Sequence, residues 1–134
     1  MLKSTQLRIL QANTWKSRNK VMMHLFGEER VQEMEILAIQ EPEVYNHTDP
    51  MTTYSQALGG RFHVLLRPTE QAHGGKSEAD AAKPRVCFYV NKRIDPKSWS
   101  IRYHTRDAST LTVRTDRGAI HVHNVYVESK VRDE

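Results

Sequence analysis

The sequence predicts an α+β fold in a single domain, on three observations. The chain opens with a strand, helix, strand pattern. Five β-rich runs, separated by turn residues, make up the remainder. The length of 134 residues suits one core and leaves little room for a second.

Leu7 to Asn13 (LRILQAN) has the length and residue content of a first strand. Ser17 can cap a helix, because its hydroxyl accepts an orphan N–H of the first turn. Val21, Met22, Leu25 and Phe26 would then share one helical face. Gly27 interrupts that pattern, and Val31 and Met34 belong to a second short helical piece. Glu35 to Gln40 (EILAIQ) reads as a short buried strand, stopped at Glu41-Pro42 because proline cannot donate to a ladder.

The five later runs are Phe62 to Leu66, Val86 to Asn91, Trp99 to His104, Thr110 to Thr115 and Ala119 to Val127. Turn signals at Gly59-Gly60, Asp95-Pro96, Arg106-Asp107 and Asp116-Arg117-Gly118 separate them. Short spacings between the last four predict an antiparallel meander. Glu70 to Pro84 reads as a long polar loop and Asn46 to Ser55 as a second irregular segment. The expectation is one mainly antiparallel sheet with one or two helices.

Composition narrows the function. At 38% hydrophobic and 27% charged residues, the chain reads as neither a membrane protein nor a disordered one. Met1 to Gln11 lacks the continuous apolar stretch of a secretory leader. The single cysteine, Cys87, excludes an internal disulfide framework and a Cys-based zinc finger, and suits an inert core thiol. These features predict an intracellular chain. Net charge is +4, but from Lys83 to Arg117 nine basic residues face three acidic ones. That excess is compatible with a polyanionic partner such as nucleic acid, and equally with solvated outer faces of strands.

Several polar residues sit at strand ends, where a phosphate can be met. Asn13 closes the first strand, Glu41 closes the second, and Asn124 and Tyr126 lie in the last. A carboxylate is a hard oxygen ligand of the kind that holds Mg²⁺ together with water and phosphate oxygens. An Asn amide can orient such a ligand, and a Tyr hydroxyl can donate to a phosphate oxygen. Each also has a plainer role: solvated turn, turn former and packing residue, respectively. His121 and His123 form an H-x-H pair that can bind a transition metal, but strand alternation puts them on the face opposite Asn124 and Tyr126. Trp15 and Trp99 can stack on a base, although burial is the commoner use of tryptophan.

Taken in order, Leu7 to Asn13, I-L-A-I-Q-E-P (36–42) and H-N-V-Y (123–126) resemble the start of an endonuclease/exonuclease/phosphatase domain. More narrowly, Q-A-N-T-W-K-S (11–17), R-V-C-F-Y-V-N-K-R-I-D (85–95) and H-V-H-N-V-Y (121–126) make the set similar to the endonuclease domain of fungal, Tad-type non-LTR retrotransposons. The resemblance implies the N-terminal half of a four-layered αββα sandwich and Mg²⁺- or Mn²⁺-dependent cleavage of DNA phosphodiesters, with the nucleus as the matching compartment. It assigns Glu41 to the metal, and Asn13 and Tyr126 to catalysis around the scissile phosphate. Asn124, Lys16 and Arg85 would contact phosphate or nucleic acid.

The family continues beyond its tyrosine with an Asp-x-Asn element, a further acidic metal residue and an Asp-His pair that activates water. This sequence contains neither a D-x-N triplet nor an Asp-His dipeptide, so weak activity is expected. Lacking its second half, the sheet would expose an apolar inner face, which predicts a homodimer packed sheet to sheet. The alternative is a non-catalytic remnant that binds nucleic acid or self-associates. A small phosphatase is a weaker third reading, because nothing here builds a pocket for a small phosphoester.

Overall fold

The computed structural model describes residues 2–14, 27–42, 60–68 and 83–127. Among the described residues, seven strands carry the fold. They are β1 (Ile9–Asn13), β2 (Ile36–Gln40), β3 (Phe62–Leu66), β4 (Val86–Asn91), β5 (Trp99–Thr105), β6 (Ala108–Thr115) and β7 (Gly118–Val125). One short helix, α1 (Glu29–Gln32), precedes β2 and buries Val31. The helix expected after Ser17, the 46–55 segment and most of the 70–84 segment lie outside the described residues. No described helix is long and apolar enough to cross a membrane.

The strands form two sheets in an α+β sandwich, where one sheet was expected. The first, of order β1-β2-β4-β3, is mixed: β1 runs parallel to β2, and β4 runs antiparallel to both β2 and β3. The second is the antiparallel meander β5-β6-β7. The meander therefore holds the last three runs rather than the last four, and β4 belongs to the other layer.

Residue pattern explains the split. Every residue of β2 and β4 is buried, and such continuously apolar strands need cover on both faces. Strands β5, β6 and β7 instead alternate between inward and outward residues, which suits a layer with one wet face. A 3₁₀ turn at Pro96–Ser98, with Asp95 capping the Lys97 N–H, carries the chain from one layer to the other.

Between the layers, Ile36, Ala38, Phe88 and Val90 of the first sheet pack on Leu111 and Val113 of the second, with Trp99, Ile101 and Val122 alongside. The opposite face of the first sheet gathers Leu37, Ile39, Cys87 and Tyr89 with Phe62, Leu66 and Val31. The inner face on which two chains were expected to pair is thus filled by this chain's own second sheet. That removes the physical reason given for dimerisation through it.

Glu35 directly precedes β2, at the end opposite Glu41. Its side chain is 5% exposed and takes hydrogen bonds from Arg8 Nε (3.0 Å), the Arg8 N–H (2.8 Å) and Arg93. Burial pushes its carboxyl upward, but the bonds from Arg8 and Arg93 outweigh this and hold it below its ordinary value. A cleft of about 860 Å³ opens at this end, lined by Arg8, Glu35, Arg93, Lys97 and Arg114 among others.

Candidate functional site

Parallel pairing of β1 and β2 sets Asn13 opposite Gln40, so the two strands finish together. Glu41 follows directly, and Asn13 Nδ2 donates to Glu41 Oε1 at 3.3 Å. The backbone at Glu41 is in the left-handed region, φ 51°, which is uncommon for a residue bearing a Cβ. Bonds on both sides hold it there: the Glu41 N–H donates to the Arg85 carbonyl (2.7 Å), and the Glu41 carbonyl accepts from Thr14 Oγ1 (2.8 Å). Thr14 is itself fully buried and donates its N–H to the Gln40 carbonyl at 2.9 Å.

The second part of the site is built around Arg85. Its Nε and Nη2 each lie 2.6 Å from an oxygen of Asp107, a bidentate pair. The guanidinium carbon stands 4.8 Å from the Tyr126 ring centroid, within cation–π range. Backbone bonds close the arrangement, from the Arg85 N–H to the Arg106 carbonyl (2.7 Å) and from the Tyr126 N–H to the Asp107 carbonyl (2.8 Å). The Arg85 hydrogen bond, helped by the charges of Arg85 and Arg106 against partial burial, holds the Asp107 carboxyl below its ordinary value.

These bonds gather Asn13, Glu41, Arg85 and Tyr126 at one end of the sandwich. Asn124 is elsewhere. It is 1% exposed and turned inward, donating to the carbonyls of Ile39 (3.1 Å) and Cys87 (2.8 Å) and accepting from Gln40 Nε2 (2.6 Å). Its position on β7 faces the core with Ile120 and Val122, so its amide is committed to structure rather than to an external phosphate. Lys16 lies outside the described residues. His121 and His123 are exposed on the outward face of β7, as alternation requires. Trp99 is half-buried in the inter-sheet core rather than presented to a base.

Sequence reasoning missed Asp107 as a member of the cluster, reading Arg106-Asp107 only as a turn signal. Its sole distinguishing mark in the sequence is being one of three acids in a basic stretch. Among the described residues no group of three or more His, Cys, Asp or Glu side chains is placed to hold a metal. With the Asp107 carboxylate taken by Arg85, what the described residues offer a cation is the carboxylate of Glu41 beside the Asn13 amide. That is a hard-oxygen donor set of the kind Mg²⁺ accepts when water and phosphate oxygens fill its other positions.

No family model matches the chain, and no curated protein matches it. Among solved structures it is similar to the endonuclease domain of TRAS1, a telomere-specific non-LTR retrotransposon. The TM-score is 0.53 at 17% identity, covering 91% of this chain and 46% of that one. The chain therefore spans about half the length of that domain, and what the two have in common is the fold.

Proposed function

We propose that this chain carries the metal- and phosphate-holding part of a phosphodiesterase site acting on DNA. The observation that carries the reading is the Asn13–Glu41 pair, fixed at the shared end of β1 and β2 by a strained and doubly bonded backbone. Strain retained at a polar surface position is a mark of functional sites. The fold shared with a retrotransposon endonuclease domain supports the same reading.

In this reading Glu41 supplies the protein's ligand to Mg²⁺ or Mn²⁺, and Asn13 holds that carboxylate in position. The ion, when bound, supplies charge neutralisation at the phosphate oxygens. Arg85, clamped by Asp107, and the hydroxyl of Tyr126 orient the phosphodiester beside it. The sequence has no Asp-His pair to activate water, so slow cleavage is expected of this chain by itself.

The missing Asp-His pair and the absence of a three-ligand cluster among the described residues favour a second reading, a non-catalytic nucleic-acid binder. Nicking of supercoiled plasmid separates the two. Mg²⁺-dependent nicking that is lost with chelator and with Glu41→Ala supports the enzyme. The same background in all three reactions overturns it and leaves the binder.

A further inference from the structure

The outward face of the β5-β6-β7 sheet carries chemistry that the strand-end site does not use. Antiparallel register sets Arg102, Thr110 and His123 in one row across the three strands, and Ser100, Thr112 and His121 in the next. Thr110 Oγ1 lies 2.9 Å from His123 Nδ1 and 2.8 Å from His104 Nε2, and Thr112 Oγ1 lies 2.8 Å from His121 Nδ1. Arg114 is on the same face, two residues beyond Thr112. Arg102, His104, Arg114, His121 and His123 are all exposed.

No Asp or Glu of these three strands shares that face. Asp107 and Asp116 sit in the turns that join the strands, and Asp107 is engaged by Arg85. Among the described residues no carboxylate on the face compensates the Arg102 guanidinium, while Arg114 Nη1 reaches the Lys97 carbonyl at 3.0 Å at the edge of the face, beside the cleft that holds Glu35. Threonine hydroxyls hold both β7 rings through Nδ1, which leaves Nε2 as the nitrogen each ring can offer a ligand. Among the described residues the rings on this face are the imidazoles of His104, His121 and His123, because the larger rings of Trp99 and Tyr103 belong to the inner side of β5.

We propose that this face binds the phosphate backbone of duplex DNA without sequence preference, as a docking surface separate from the Asn13–Glu41 site. Strands of eight residues make it ~27 Å long, and the outer strands lie ~10 Å apart. Duplex DNA carries one charge per ~1.7 Å of helix axis, so several phosphates fall within its span. Guanidiniums and hydroxyls contact phosphate oxygens, and contacts of that kind position a protein on the duplex without reading its sequence. The inference rests on the charge pattern of the sheet and stands whether or not the strand-end site is catalytic.

Anisotropy of a short labelled duplex, titrated with the full chain in EDTA, tests it while metal-dependent cleavage is suppressed. Arg102→Ser combined with His123→Ser is expected to weaken binding at least ~10-fold. The slope of log affinity against log salt should flatten by about 0.9 for each phosphate the variant no longer neutralises. Arg30→Ser, which removes an exposed charge from α1 instead, should bind as wild type. Arg102→Lys should retain most of the affinity, which shows that the loss is one of charge and not of folding. Unchanged affinity and salt slope in the double variant overturn the proposal. So does tighter binding of the matching single strand than of the duplex, since base stacking would then carry the affinity. Plasmid nicking in Mg²⁺ reads the strand-end site and binding in EDTA reads this face, so either can fail without the other.

Discussion

Asn124 Oδ1 accepts a hydrogen bond from Gln40 Nε2 at 2.6 Å, across the gap between the two sheets. With the two bonds from Asn124 Nδ2 to the Ile39 and Cys87 carbonyls, one amide ties β7 to the neighbouring strands β2 and β4. Gln11 extends the network by donating to Gln40 Oε1. Buried polar groups are costly when left alone and specify a unique packing when fully paired. Here the pairing fixes how the meander sits on the first sheet, and with it the position of Tyr126 two residues further on.

Asn124→Leu keeps the approximate volume and removes the three bonds that Asn124 makes. Gln40 is 7% exposed and would be left with an unanswered donor. A loss of about 1–3 kcal/mol in unfolding free energy is expected, read from urea denaturation. A variant as stable as wild type would show that the inter-sheet amide is dispensable.

Glu41 offers a separation of stability from function. Its left-handed backbone disfavours any residue with a Cβ by about 1–2 kcal/mol, and glycine relieves that at some cost in unfolded-chain entropy. Glu41→Gly is therefore expected to raise stability by about 0.5–1 kcal/mol while abolishing Mg²⁺-dependent nicking. A drop in melting temperature would mean that the Asn13–Glu41 bond contributes more than the strain costs.

Acid should weaken the fold through Glu35 and Asp107. Both carboxyls sit below their ordinary values of 4.5 and 3.8 when folded. The unfolded chain therefore takes up protons first as pH falls, and the stability these groups contribute is complete above about pH 4.5. It is lost as pH drops through their lowered folded values. Urea midpoints at pH 7, 5 and 3 should fall mainly over the last interval. Glu35→Gln should flatten part of that fall, and an identical profile in the variant would exclude Glu35 as a cause.

The strands were legible where apolar content or alternation is strong. β3 and β4 run from Phe62 to Leu66 and from Val86 to Asn91, as their β-rich composition indicates. The division into two sheets was less legible, because the spacing that predicts a meander does not say which sheet its first strand joins. The uniformly buried pattern of β2 and β4 carried that information, since strands covered on both faces demand a second layer. At the site, residues marking strand ends came together because β1 and β2 run parallel and stop in register. The inward amide of Asn124 and the Asp107 clamp on Arg85 depend on partners 37 and 22 residues away in the chain. No local pattern encodes those.

Cys87 gives a probe of the same inter-sheet network. The thiol is wholly buried in the middle of the first sheet, and burial pushes its pKa far above the ordinary thiol value. Only the thiolate reacts with disulfide reagents, so native Cys87 should be modified no faster than the structure opens. The Cys87 carbonyl is one of the two that Asn124 binds. Asn124→Leu should therefore accelerate labelling in proportion to the stability it removes, about tenfold for each ~1.4 kcal/mol when labelling follows global unfolding. Labelling of the wild type within the mixing time would show that β4 is open in the native chain. Labelling of the variant at the wild-type rate, despite a lowered urea midpoint, would place the opening at Cys87 in a unit independent of the inter-sheet amide.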